Sequence, residues 1–179
     1  MEKEKLREVW WTIAAAYVLV IYSTLTVAPS IWESIDVFFG GKAIIVLYSL
    51  YFIAVVSVLY YLIHVKREMF ILTYILFFLF IAILFMLTKL VKSPAEKIHL
   101  AEYAILGVIL YNALKVDLDV YGGKLYLYGS LICVLAGFGD EIIQKFLPGR
   151  FFGWKDVTVN AVSGIIALLM IRFVVLKKS

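Results

Sequence analysis

Apolar runs alternate with short polar turns along this whole chain, and the run lengths suit a membrane. Val9 to Ala28 is the first run, Ala43 to Ile63 the second, Met69 to Val91 the third and Ile98 to Val116 the fourth. Each approaches the roughly 20 helical residues needed to cross the hydrocarbon of a bilayer. Trp10 and Trp11 open the first run, at the level where amphipathic rings settle at a membrane interface. Residues 30–42 read as a loop or interfacial turn holding Trp32, with a re-entrant or interfacial helix as the alternative, and the turn from His64 to Glu68 separates the second and third runs. Those two runs are rich in Phe, Leu, Ile and Tyr, the pattern of lipid-facing scaffold helices. A turn with Asp117, Asp119, Gly122 and Gly123 follows the fourth.

The last two runs are too short as they stand. Only 15 uncharged residues lie between Lys124 and Asp140. A fifth helix must therefore continue to about Leu147 to span, drawing Asp140, Glu141 and Gln144 below the membrane surface. Val157 to Ile171 is also 15 residues, and a sixth helix lengthens through Leu176 if Arg172 snorkels. The expected fold is all-α: one polytopic integral membrane domain over residues 1–179 with about six transmembrane helices and both termini on one side. Lys and Arg divide ten to seven in favour of the terminal side, which points to cytoplasmic termini in a multi-pass membrane protein.

Composition agrees. Of 179 residues, 64% are hydrophobic and 17% charged, and the mean hydropathy is +0.99. A soluble protein of this size lacks the polar residues to cover its surface at that ratio. The net charge of +4 is ordinary for membrane loops near anionic lipid and is no argument for nucleic acid. Cys133 is the single cysteine, so disulfides and cysteine metal clusters are excluded. Neither a cofactor fingerprint nor a nucleophile elbow is present.

Polar chemistry concentrates between Asp140 and Gly164, where Asp140, Glu141, Gln144, Arg150, Asp156 and Asn160 fall within 21 residues. Glu141 and Gln144 share a helix face at i,i+3, Pro148-Gly149 breaks that helix, and Asp156 and Asn160 share the next at i,i+4. With six spans, the end of the first helix, the start of the fourth, the end of the fifth and the start of the sixth lie on one side. Ser23 and Thr24, then His99, Glu102 and Tyr103, can thus converge with the later cluster. Polar residues inside a membrane are expensive and mark functional sites.

Each candidate has a plainer alternative. Arg150 suits a phosphate or carboxylate through paired N–H donors, or else an ion pair with Glu141 or Asp156. An anion or a carboxylate is expected within its reach. Glu141 fits a proton donor or acceptor, since desolvation favours the neutral carboxyl, or a structural ion pair. His99, beside Glu102 on the next turn, fits a general base, a ligand contact or a satisfied structural residue. Asp156 orients a ligand or caps its helix, a role that does not extend to Asn160. Gln144 fits a hydrogen-bonding partner within the bundle. Asp140, about 100° from Glu141 around the helix, is expected to face a different neighbour or the interface. Gly137, Gly139 and Gly164 read as packing positions, and Phe151, Phe152 and Trp154 as interfacial anchors. His99, Glu102, Glu141 and Asp156 could supply metal ligands, but no dense ligand spacing supports a metal.

Two stretches carry a family resemblance. The pattern E-x-x-Q-x-x-x-P-G-R-x-x-x-x-x-D-x-x-x-N-x-x-x-G, from Glu141 to Gly164, resembles the C-terminal signature of the VanZ-like family of bacterial membrane proteins. K-I-H-L-A-E-Y-A-I-L-G, at Lys97 to Gly107, is similar to that family's second motif, although Leu100 stands where an aromatic often follows the histidine. The likeness covers residues 95–165, the polar end of the first helix matches loosely, and residues 43–91 hold an extra helix pair. The resemblance implies a cell-envelope membrane protein in a family named for an accessory of glycopeptide (teicoplanin) resistance, with no defined reaction. His99, Glu102, Glu141 and Asp156 are then the candidate catalytic groups. Arg150, Gln144, Asn160, Tyr103 and Ser23 are the candidate ligand contacts. Three functions compete: a site for an anionic membrane lipid or polyprenyl-phosphate-linked envelope precursor, acting as enzyme or accessory; a transporter or flippase for such a lipid; and a structural network without chemistry.

Overall fold

The computed structural model describes residues 2–91, 93–117 and 123–176. Among these residues seven helices follow one another: α1 (Glu2–Thr24), α2 (Ala28–Phe38), α3 (Ala43–Tyr60), α4 (Ile71–Leu90), α5 (Pro94–Asp117), α6 (Gly123–Lys145) and α7 (Trp154–Met170). Single π-helical turns extend α3 over Tyr61–Val65 and α7 over Ile171–Val175. No strand occurs among the described residues. The turn read at Asp119 and Gly122 lies outside them.

Among the described residues four helices are long and apolar enough to cross a membrane: α3 and α7 with their π-turns, α4 and α6. A fifth is reached if α1 and α2, which meet at 73°, form one broken span. The expected six are not reached, and α5 is the helix that falls short. Its 24 residues are ample in length, but Glu96, Lys97, His99 and Glu102 crowd its start and Lys115 and Asp117 its end. Residues 30–42 are likewise no plain loop, since α2 fills most of them. Pro29 stands in the first turn of α2, where its missing N–H costs nothing. Helix α2 buries none of its residues and exposes Val37 and Phe38.

Extension of the last two helices follows the length argument. Helix α6 runs without a break through Lys145 and so carries Asp140, Glu141 and Gln144 on helical backbone. Gly149, at φ 73°, supplies the left-handed residue that reverses the chain after Pro148. At the far end of α7, Arg172 lies over the rings of Tyr126 and Phe173, each about 5.0 Å away.

Helix α7 lies between two apolar cores. Ile21, Tyr103, Leu106, Leu110, Cys133 and Leu168 join α1, α5, α6 and α7 in one. Leu62, Phe77, Leu87, Leu100, Val159 and Ile166 join α3, α4, α5 and α7 in the other. Close approach depends on small residues, because helix association in lipid relies on packing rather than on exclusion of water. Gly107 of α5 abuts the backbone of Gly164 on α7, and Gly137 of α6 packs against Asn160. The Ser163 hydroxyl donates to the Leu100 carbonyl at 2.5 Å, tying α7 to α5 across that contact. Helices α3 and α4 stand outside and expose Phe52, Ile71 and Met86, the faces a hydrocarbon solvent accepts.

The turn from α3 to α4 is sealed rather than loose. Glu68 is buried, pairs with Lys66 at 2.6 Å, and accepts the Phe70 N–H. Lys66 also donates to the Val174 carbonyl at 2.9 Å, fastening this turn to the end of α7.

Candidate functional site

The start of α5, the end of α6 and the start of α7 bring their polar residues into one buried network. At its centre is Asp140, fully enclosed. Its Oδ2 accepts from the Asn160 amide at 2.9 Å and from the Tyr103 hydroxyl at 3.3 Å. Its Oδ1 accepts from the Gln144 amide at 3.3 Å. The expectation that Asp140 faces elsewhere is therefore corrected. Helix α6 packs against both α5 and α7, so its buried arc is wide enough to enclose both Asp140 and Glu141.

Glu141 is held as firmly. Its Oε1 accepts from Gln144 at 3.1 Å and its Oε2 from the Gly153 backbone N–H at 2.9 Å. The second bond ties the end of α6 to the start of α7 across the Pro148-Gly149 turn. A side chain at Gly153 would run into Asp156 Oδ2, which is why the smallest residue stands where the loop passes between two carboxyls.

Arg150 does not meet a carboxylate. Its guanidinium donates to the Gln144 side-chain oxygen at 3.1 Å, and no ion pair to it forms among the described residues. Gln144 thus links the arginine to both acids, giving from its nitrogen and accepting at its oxygen. Asp156 is half-buried in the first turn of α7, within electrostatic reach of Arg150, His99, Lys155 and Glu96. Gly153, not Asp156, is the N-cap, and Asp156 complements the positive end of the helix instead.

His99 is 3% exposed, and its Nδ1 lies 2.5 Å from Glu102 Oε2 one turn along α5. Asp140, Glu141 and Arg150 are within electrostatic reach of its ring. Its other nitrogen, Nε2, is buried and has no hydrogen-bond partner in the protein. Among the described residues no three His, Cys, Asp or Glu are placed to hold a metal ion.

Ser23 is not part of this cluster. It is exposed, and its hydroxyl returns to the Val20 carbonyl of its own helix at 2.9 Å. Its neighbour Tyr22 turns inward instead and donates to the Ala136 carbonyl of α6 at 2.9 Å. Gly139 leaves the room for that ring, since a side chain there would collide with the Tyr22 hydroxyl. Tyr22→Phe should lower stability by about 1 kcal/mol, the net worth of one such bond. A thermal melt of the purified protein checks it, and an unchanged midpoint means that α1 docks by packing alone. Around the outer rim, Phe138, Phe152 and Trp154 form a ring cluster with centroids 5.0 to 5.9 Å apart, and Phe151 and Trp154 are exposed.

Compared with models of known protein families, with curated proteins and with solved structures, the chain matches none.

Proposed function

We propose that this network is a binding site for an anionic phosphate head group, set near the extracytoplasmic face of a VanZ-like membrane protein. On this reading α1 and α5 also span, completing six helices in a bacterial cytoplasmic membrane, and the ligand is a membrane lipid or a polyprenyl-phosphate-linked envelope precursor. The observation that carries it is Arg150. Its half-buried guanidinium is steered by a neutral carboxamide rather than matched by a carboxylate. A guanidinium has five N–H donors, and this bond engages one of its nitrogens. The other donors suit two oxygens of a phosphate, the geometry in which arginine outperforms lysine. Asp140, Glu141 and Asn160 form the framework that holds Gln144, and Gln144 aims the arginine.

Arg150→Ala tests it directly. Loss of charge-assisted bonds worth about 1.5 to 3 kcal/mol reduces affinity about 10- to 100-fold. Lipid extraction and mass analysis of both purified proteins should find the bound phospholipid or polyprenyl phosphate depleted in the variant. Equal amounts of the same lipids in both reject the anchor role.

One observation favours a structural network instead: Asp140, Glu141 and Asn160 all have protein partners. Under that alternative Arg150→Ala lowers the melting temperature and leaves the lipid content unchanged. A flippase finds less support, because α5, α6 and α7 run unbroken and offer no interrupted helix at mid-membrane.

A further inference from the structure

We infer that His99 is the second ligand contact of this site and that Glu102 acts through it, presenting a protonated Nε2 to an anionic phosphodiester oxygen, so that capture of the ligand takes up a proton. The inference rests on the anionic site proposed above and adds the chemical class of the ligand and a pH control.

The two ring nitrogens have different surroundings. Nδ1 faces Glu102 at 2.5 Å, a contact that fixes the orientation of the ring. Nε2 is enclosed and unpartnered. A buried polar atom left in that state costs about 1 to 3 kcal/mol, so its persistence on a well-packed helix calls for a reason. Neighbouring elements do not supply one. From α6, Asp140 and Glu141 spend their oxygens on Asn160, Tyr103, Gln144 and Gly153. From α7, Asp156 lies within electrostatic reach but does not bond to the ring. Tyr17 of α1 and Tyr51 of α3 are near Glu102, and the Tyr51 hydroxyl donates to the Lys97 carbonyl. Arg150 approaches the ring from the α6–α7 turn. His99 and Arg150 are therefore two cationic donors within electrostatic reach of each other, each with N–H groups that no protein acceptor takes.

Charge selects among anions. Asp140, Glu141 and Asp156 surround the two cations, and a dianionic monoester would meet their repulsion at full strength. A phosphodiester carries one charge and still offers two unesterified oxygens, one for each donor. A diester also keeps that charge across the range in which histidine titrates, so any pH step in its binding belongs to the protein.

The experiment measures binding between about pH 5 and 9, the window around histidine titration. The full-length protein is placed in phosphatidylcholine nanodiscs with increasing phosphatidylglycerol, and in a parallel arm is given dimethyl phosphate, the same diester without chains. Wild-type affinity should fall with rising pH, by about tenfold per pH unit once the imidazolium loses its proton. Glu102→Gln should move that step to lower pH, because the carboxylate no longer supports the imidazolium. His99→Gln should bind weakly and without a step. A step with both ligands assigns recognition to the diester itself, and a step with phosphatidylglycerol alone assigns it to the lipid. Both outcomes support the inference. A pH-independent wild type, or a step unmoved in Glu102→Gln, overturns it, and the second criterion holds even if His99→Gln fails to fold. Arg150→Ala separates the two levels: wild-type binding in that variant removes the anionic site altogether. Lost binding in Arg150→Ala, with no pH step in the wild type, removes the role of His99 alone.

Discussion

Asp140→Ala should cost the folded protein about 3 kcal/mol or more, the largest loss expected from any single side chain in the polar network. Three buried donors, on Tyr103, Asn160 and Gln144, point at its two oxygens. Each buried donor left without a partner costs about 1 to 3 kcal/mol. The Asn160 bond, at 2.9 Å, belongs near the top of that range and the two at 3.3 Å near the bottom. Alanine also leaves space that water cannot enter cheaply in an enclosed site. Asp140→Asn keeps the shape but turns one acceptor into a donor facing donors, so it should fall between alanine and wild type. Thermal melts in detergent rank the three. If Asp140→Ala melts with wild type, Asp140 does not hold the network together. The lipid content of Asp140→Ala should fall with that of Arg150→Ala, since Gln144 would lose one of the two acids that orient it.

The polar ends of α5, α6 and α7 were legible because charge in an apolar run stands out and has few acceptable places. The length of the fifth run showed that Glu141 and Gln144 had to sit on helix, and the i,i+3 spacing put them on one face. Helical angle alone misplaced Asp140. A single contact face would have left it outside, and only the packing of two helices against α6 widens the buried arc enough to include it. The same limit separates Ser23 from Tyr22. Both lie at the polar end of α1, one residue apart, and which of them turns inward depends on where α6 passes. The span count slipped for a different reason. Helix α5 carries Glu96, Lys97, His99 and Glu102 in the stretch that would enter the membrane, so its apolar run, counted as a span from its length, is not apolar enough among the described residues to rank with the other four. Nothing polar marked Gly107, whose importance arises from a backbone it meets 57 residues later.

Gly107→Ala is therefore expected to disturb the molecule more than any other single methyl group. The added carbon would stand 2.5 Å from the Gly164 carbonyl oxygen and 3.2 Å from the Ala167 side chain. A backbone oxygen in mid-helix cannot rotate aside, so α5 and α7 must separate. Overpacking of this kind costs about 1 to 3 kcal/mol, and a rigid obstacle places this site at the upper end. Gly129→Ala is the matched control. Its new carbon meets the Leu168 Cδ1 at 3.0 Å, the far end of a flexible side chain that can yield, and it should lose less than about 1 kcal/mol. Separation of α5 from α7 also strains the Ser163 bond to Leu100 and draws His99 away from Asp140 and Arg150. Gly107→Ala should then lose phosphodiester binding together with stability, whereas Gly129→Ala keeps it. Equal melting temperatures for the two variants would mean that α5 and α7 do not cross as closely as this geometry requires.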